Sequence, residues 1–275
     1  MPSFEQAGNF FGGFKSVYPE YEVITPQTLG LYTVRGLNVG EEENLKGSIT
    51  TPRRIPEHLN QILWNVIVKK PDWVTDFQSF LSSTTLHDRD ALLYALYHIT
   101  YKDVNNYDIT CPSCSNEHRI SLAISNIFSM KAWPGDKAEV LTKKIEIDLP
   151  EDIVQPKCSV ILRQPTLLHE SEMTEHLLFQ SDKNLEIGLQ MLIIDSFKVT
   201  FDEGQEPKII NDRENIFRGY TSLPAAIRKN INKRYVDEFG QYSMNLKFTD
   251  RCPNCNYSNE VDLDLVQHFF RVLHQ

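Results

Sequence analysis

Two nearly identical cysteine turns, Cys111-Pro112-Ser113-Cys114 and Cys252-Pro253-Asn254-Cys255, constrain this chain more than any other feature. Each is preceded and followed by a segment in which polar and apolar residues alternate, so each is expected at the turn of a β-hairpin. Four of the five cysteines sit in these turns. A CxxC turn offers two sulfurs from one side, and tetrahedral zinc takes four ligands. Cys111, Cys114, Cys252 and Cys255 therefore read as one four-thiolate, zinc-ribbon-like site. Cys114 and Cys252 stand 138 positions apart, far beyond ordinary ribbon spacing, so binding would clip together segments that chain entropy keeps separate.

Three competing readings bear on the same residues. In the first, His118 is a third ligand of a separate first site. The second turn has no histidine until His268, so one complete site accounts for the cysteines better, and His118 is expected on the hairpin surface. In the second, the CxxC pairs are redox-active. Thiol oxidoreductase motifs lead into a helix whose N-terminus lowers the thiol pKa, whereas both turns here lead into period-2 strands. The third reading, a zinc-ribbon adaptor for nucleic acid or transcription, runs against a formal charge of −9 and a pI near 5.4, because phosphate neutralisation needs clustered Lys and Arg. Four thiolates also leave no open coordination position for water, so the zinc is expected to be structural. No GxSxG, P-loop, HExxH or GxGxxG motif occurs, and the chain reads as non-enzymatic. His169, Glu170, Glu172 and Glu175 on one expected helix suggest a second metal cluster, against which a solvated helix face is the simpler expectation. Cys158 reads as a small core residue, and the three tryptophans, Trp64, Trp73 and Trp133, as core or interface residues.

With 275 residues the chain is expected to form two modest α+β units rather than one. No apolar run approaches the ~20 residues that span a bilayer, and Met1 to Phe14 has no charged-then-apolar signal layout, so a soluble, cytosolic protein without membrane contact is expected. Residues 1–20, with Phe10, Phe11 and Phe14 among glycines, read as a flexible arm, either a disordered leader or a segment that orders against a partner. Strands are expected between Val23 and Val34, interrupted at Pro26 and Gly30, and a polar, turn-rich stretch from Gly36 to Pro52. Ile55, Leu59, Ile62, Leu63, Val66 and Ile67 recur at helical spacing up to Pro71, a shorter stripe follows at Val74, Phe77, Phe80 and Leu81, and Asp88 and Asp90 suit the start of the next helix. The second half brings strands at Ile145–Ile147 and Val160–Arg163, helices at Leu167–Phe179, Leu185–Ile194, from Asp212 and at Leu223–Val236, then a strand through Met244, Leu246 and Phe248. The order helix, Asp-Arg-Asp/Glu, helix, strand, CPxC, strand thus occurs twice. It predicts an internal duplication with units at 21–135 and 136–275, each carrying one zinc knuckle.

This order of motifs resembles the baseplate hub and hub-assembly proteins of T4-like, contractile-tailed phages. The likeness covers nearly the whole chain from about Val23. It is carried by Tyr32-Thr33-Val34-Arg35-Gly36-Leu37-Asn38-Val39-Gly40-Glu41-Glu42-Glu43, by Asp88-Arg89-Asp90 leading through a Leu-rich helix to Ile99-Thr100-Tyr101-Lys102-Asp103, and by the first CPxC. Ile193-Ile194-Asp195-Ser196, Ile210-Asn211-Asp212-Arg213, Leu223-Pro224, the second CPxC and Phe269-Phe270 follow in the same order. The resemblance implies a non-enzymatic structural or assembly protein of the tail baseplate hub, made in the host cytoplasm, present in the virion tail or acting during its assembly. Its expected partners are other baseplate, hub or tail proteins and further copies of itself.

Overall fold

A computed structural model describes residues 18–48, 52–101, 104–201 and 204–263. The aromatic cluster at Phe10–Phe14 and the Phe269-Phe270 pair lie outside the described residues. Glu20, the last residue assigned to the arm, already lies in the first strand. The chain is mixed α+β, with small antiparallel sheets and helices packed on them.

The first part runs β1 (Glu20–Ile24), β2 (Leu31–Arg35), α1 (Val39–Ser48), α2 (Ile55–Val66), β3 (Ile67–Lys69), α3 (Phe77–Ser83), α4 (Leu86–Thr100), β4 (Val104–Thr110), the first cysteine turn and β5 (Glu117–Ala123). After β6 (Phe128–Met130) and α5 (Lys137–Thr142) come β7 (Lys144–Asp148), β8 (Lys157–Arg163), α6 (Leu167–Glu175), α7 (Asp182–Met191) and β9 (Ile194–Thr200). Then follow β10 (Lys208–Ile210), α8 (Arg213–Ser222), α9 (Ala225–Tyr235), β11 (Met244–Arg251), the second turn and β12 (Ser258–Asp262). Apart from the added β10, the order β-β-α-α-β-α-α-β-turn-β is traversed twice. Sheet order repeats as well: β1-β2-β3 corresponds to β7-β8-β9, and both sheets slip register between their second and third strands, at Thr33/Val34 and at Ile161/Leu162.

The reasons for these elements are local. The alternation Tyr21, Val23 puts one face of β1 on the core, while Pro26 and Gly30 end the strands on either side of a turn closed by Thr25 N–H on the Gly30 carbonyl at 3.0 Å. A Cβ on Gly30 would come within 2.8 Å of the Tyr32 ring, which excludes a side chain there. In α2 the apolar stripe Leu59, Ile62, Leu63, Val66 is buried as its spacing predicts; Ile67, expected to continue it, opens β3 instead, and Val74 lies before α3 rather than on it. Asp76 and Thr85 close capping boxes on α3 and α4, and Asp212 caps α8.

The stretch from Gly36 to Pro52 is not all turn: α1 occupies most of it. Its pattern Val-Gly-Glu-Glu-Glu-Asn-Leu-Lys-Gly-Ser contributes Leu45 alone as a fully buried apolar side chain, so no apolar period announces it. A capping box starts it instead. Glu41 N–H donates to Asn38 Oδ1 and Asn38 N–H to Glu41 Oε2, each at 2.9 Å. Glu41 also accepts both Arg35 Nη groups, at 2.9 and 2.6 Å. This fork, helped by the Asn38 amide, holds the Glu41 carboxyl below its ordinary 4.5. A depressed acid stabilises the fold above its unfolded pKa and withdraws that contribution as the pH falls through the folded value. Glu41→Gln is accordingly expected to cost about 1 kcal/mol at pH 7, with the gap to wild type closing below pH 4.5 in thermal melts taken across the acid range.

Two clusters of buried side chains form the interior. One, around Tyr32, Leu63, Phe80 and Leu92–Tyr97, draws on the first part; it also takes in Leu167 and Leu246, with Met244, Phe248 and Val261 packed against it. The other gathers Trp133, Val160, Phe179, Phe197, Tyr220 and Phe239. The second cysteine hairpin therefore packs on the first cluster. β6 reaches the other way and pairs with β11 through Phe128↔Leu246 and Met130↔Met244. Elsewhere Gln27 Nε2 donates to the Phe239 carbonyl at 3.1 Å and Trp133 N–H to that of Pro26 at 2.7 Å. The Thr85↔Thr166 bridge joins the starts of α4 and α6. Among the tryptophans, Trp133 is buried, Trp64 packs against the first cluster, and Trp73 is 39% exposed with Lys137 Nζ 4.6 Å from its ring centroid.

Candidate metal centre

Each cysteine turn is built the same way. Cys111 N–H donates to the Asn116 carbonyl at 2.9 Å and Ser115 N–H to that of Cys111 at 2.9 Å; Cys252 N–H meets the Tyr257 carbonyl at 3.0 Å and Asn256 N–H that of Cys252 at 2.9 Å. The residue after the second cysteine is left-handed in both, with φ of 57° at Ser115 and 60° at Asn256. That conformation suits Asn and tolerates Ser but penalises a β-branched side chain. Ser115→Val is expected to destabilise by about 1–2 kcal/mol and Ser115→Gly to be neutral or stabilising, read from urea midpoints.

Although 138 positions separate Cys114 from Cys252, the fold brings the turns face to face. Cys111 Sγ lies 3.7 Å from Cys255 Sγ, and Cys114 Sγ 3.7 Å from Cys252 Sγ. The pairing is reciprocal: the first cysteine of each turn meets the second of the other, as a local two-fold relation between the turns requires. All four sulfurs lie within 4.8 Å of one another. A disulfide would need about 2.05 Å, so the thiols are free. A tetrahedral ion with Zn–S bonds of about 2.3 Å has S···S edges of roughly 3.8 Å, and the observed separations fit it. The donor set can hold a metal ion.

The surroundings treat the outer two sulfurs differently. Cys111 and Cys252 are buried at 1% exposure each, whereas Cys114 is half-buried and Cys255 exposed. Asn254 Nδ2 donates to Cys114 Sγ at 3.6 Å; with the Asn116 amide, it draws the Cys114 thiol down to about 6. The Tyr257 amide acts the same way on Cys255, but desolvation and the three neighbouring sulfurs outweigh it and push that thiol up to about 11. Four sulfurs this close cannot all ionise without a cation among them. Both turns lead into strands, β5 and β12, so neither cysteine pair has the helix N-terminus that activates a redox thiol.

His118 is not a surface residue. It sits on β5 with its side chain 11% exposed, and its Nε2 lies 2.9 and 3.1 Å from the two oxygens of the buried Asp250 on β11. It links the two hairpins beside the sulfur cluster without belonging to it. His118→Ala is expected to keep the full metal content and lose about 1–3 kcal/mol, because Asp250 would be left buried without its partner.

The helix bearing His169, Glu170, Glu172 and Glu175 is not simply a solvated face. Glu172 and Glu175 are exposed, but Glu170 is 3% exposed and grips Arg89 of α4 with both oxygens. Sequence reasoning missed this pair because it is made across 81 positions. Asp88, expected as an acid at the start of its helix, does stand in the first turn of α4, but it is also fully buried and its oxygens accept the Gln27 amide at 2.8 Å and those of Thr28 and Thr85 at 3.3 Å. Its position three residues after Thr85 was the available signal. Among the described residues no helix is long and apolar enough to cross a membrane. No curated protein and no solved structure matches the chain. With residues 18–271 matching the family model described as T4 bacteriophage base plate protein, the chain belongs to that family.

Proposed function

We propose that this protein is a non-enzymatic structural or assembly component of the phage baseplate hub, and that one structural zinc ion on Cys111, Cys114, Cys252 and Cys255 locks two duplicated units, 21–135 and 136–275, into one body. The observation that carries the reading is the reciprocal meeting of the two cysteine turns, each supplied by one traverse of the same element order. Zinc is favoured because it prefers tetrahedral thiolate sets, and four protein ligands leave it no open position for substrate or water. The protein's work is then contact with other tail proteins or further copies of itself, made in the host cytoplasm and carried into the tail. The acidic surface is ill-suited to gripping nucleic acid directly.

Elemental analysis of the purified full chain is expected to return one zinc per protein; two per chain, or none, would overturn the joint site. The hub assignment has its own test. Pull-down from infected cells should bring hub or tail-tube proteins, and recovery of the protein alone would sink it.

A further inference from the structure

The twofold traverse of the fold allows each position in one part to be compared with its counterpart, and one pair is chemically mismatched. Arg35 ends β2 and Arg163 ends β8. Both guanidinium groups reach the chain just before the third strand of their sheet: Arg35 Nη2 donates to the Asn65 carbonyl at 3.2 Å, and Arg163 Nε to that of Leu192 at 3.3 Å. Three residues beyond each arginine is a helix N-cap, Asn38 or Thr166, and three further stands the residue that completes the cap. In the first part that residue is Glu41, which clamps Arg35 with both oxygens. In the second it is His169, whose Nδ1 accepts the Thr166 amide at 3.0 Å. Accepting at Nδ1 leaves the ring proton on Nε2, a neutral donor where the first part has a carboxylate.

Arg163 consequently lacks a carboxylate fork of its own. Its acidic neighbour, Asp195, is 3.7 Å from Nη1 and is already engaged by Lys144. Arg213 is paired with Glu172. Arg163, Lys144 and Arg213 thus face two acids, one positive charge in excess. Beside them is a cavity of about 260 Å³ lined by Arg163, His169, Asn211 and Arg213 and also by both acids, Glu172 and Asp195, with Met173 and Ile216 on its apolar side; Lys144 lies outside the lining. Burial, reinforced by the nearby Arg163, Arg213 and Lys144, drives His169 down to about 4, so the ring stays neutral and adds a donor without adding charge.

We propose that this cavity is a socket for a carboxylate side chain, Asp or Glu, presented by another protein, which takes the place that Glu41 fills internally in the first part. Carboxylate matches the fork geometry that the same arginine position binds in the first part. Apolar walls beside the donors suit the methylenes of an acidic side chain, and one negative charge balances the three cations once Lys144 is counted with the two arginines and Glu172 and Asp195 are set against them. The inference does not depend on the metal or on the hub assignment.

The test titrates full-length protein, labelled at arginine nitrogens, with N-acetyl-glutamate N-methylamide, with its glutamine counterpart and with inorganic phosphate, following the Nε–H resonances of Arg163 and Arg35 by NMR. The expected result is a saturable shift of Arg163 with the glutamate probe, none with the glutamine probe, and no shift of Arg35, whose fork is occupied. His169→Glu should rebuild the internal clamp, weaken probe binding at least tenfold and raise the melting temperature. Arg163→Lys keeps the charge but loses the fork, and should also weaken binding about tenfold. Equal response to the glutamine probe, tighter binding of phosphate than of glutamate, absence of any saturable Arg163 shift, or unchanged binding in Arg163→Lys would each overturn the proposal.

Discussion

Cys111→Ser is expected to abolish stoichiometric zinc binding and to lower stability by at least about 5 kcal/mol, since the binding free energy of a structural metal is folding free energy. For a chain of this size that corresponds to a fall in melting temperature of roughly 10 °C or more. Cys255→Ser should do the same although Cys255 is the exposed member of the set, because the cost lies in losing the ion rather than in local packing. Stripping the metal from wild type with a strong chelator should reproduce the effect, and zinc alone should reverse it. The loss should extend beyond the turns. The second hairpin packs through Leu246, Phe248 and Val261 on the first core, so hydrogen exchange should accelerate in β4, β5, β11 and β12 together. A variant that keeps full zinc and an unchanged melt would refute the shared site.

The second large effect is expected at Arg89–Glu170. Both residues are buried, at 9% and 3% exposure, and the pair joins α4 to α6. Glu170→Leu would strand a guanidinium in the interior and should cost about 3–5 kcal/mol. Adding Arg89→Met should recover most of that loss, because removing both charges also removes the desolvation cost. Arg89 Nε has no hydrogen-bond partner among the described residues, so even the intact pair leaves one donor unmet. Urea denaturation of the two single variants and the double variant gives the coupling directly. A double variant no more stable than Glu170→Leu would show that the site needs its charges rather than merely their balance.

Much of the architecture was legible because its signals are local. The α2 stripe, the alternation around each cysteine turn, the helix starts at Asp88 and Asp212, and the repeated order of elements all depend on residues within a few positions of one another. Helix α1 was missed because a single buried Leu45 leaves no apolar period, although Asn38 and Glu41 carried a capping signal. His118 and Glu170 were misjudged as surface residues for a different reason. A polar side chain announces neither its burial nor its partner, and Asp250 lies 132 positions away while Arg89 lies 81.

The division follows from the range of the forces involved. Hydrogen-bonded turns, caps and strand periods are settled by neighbours along the chain, so the amino-acid order by itself determined that two nearly identical CPxC turns would each offer a pair of sulfurs. Whether those pairs would meet depends on how the helices and sheets between them pack. Only the tertiary structure decided that Cys111 lies beside Cys255, that Glu170 lies beside Arg89, and that Arg163 is left without the carboxylate its counterpart Arg35 holds.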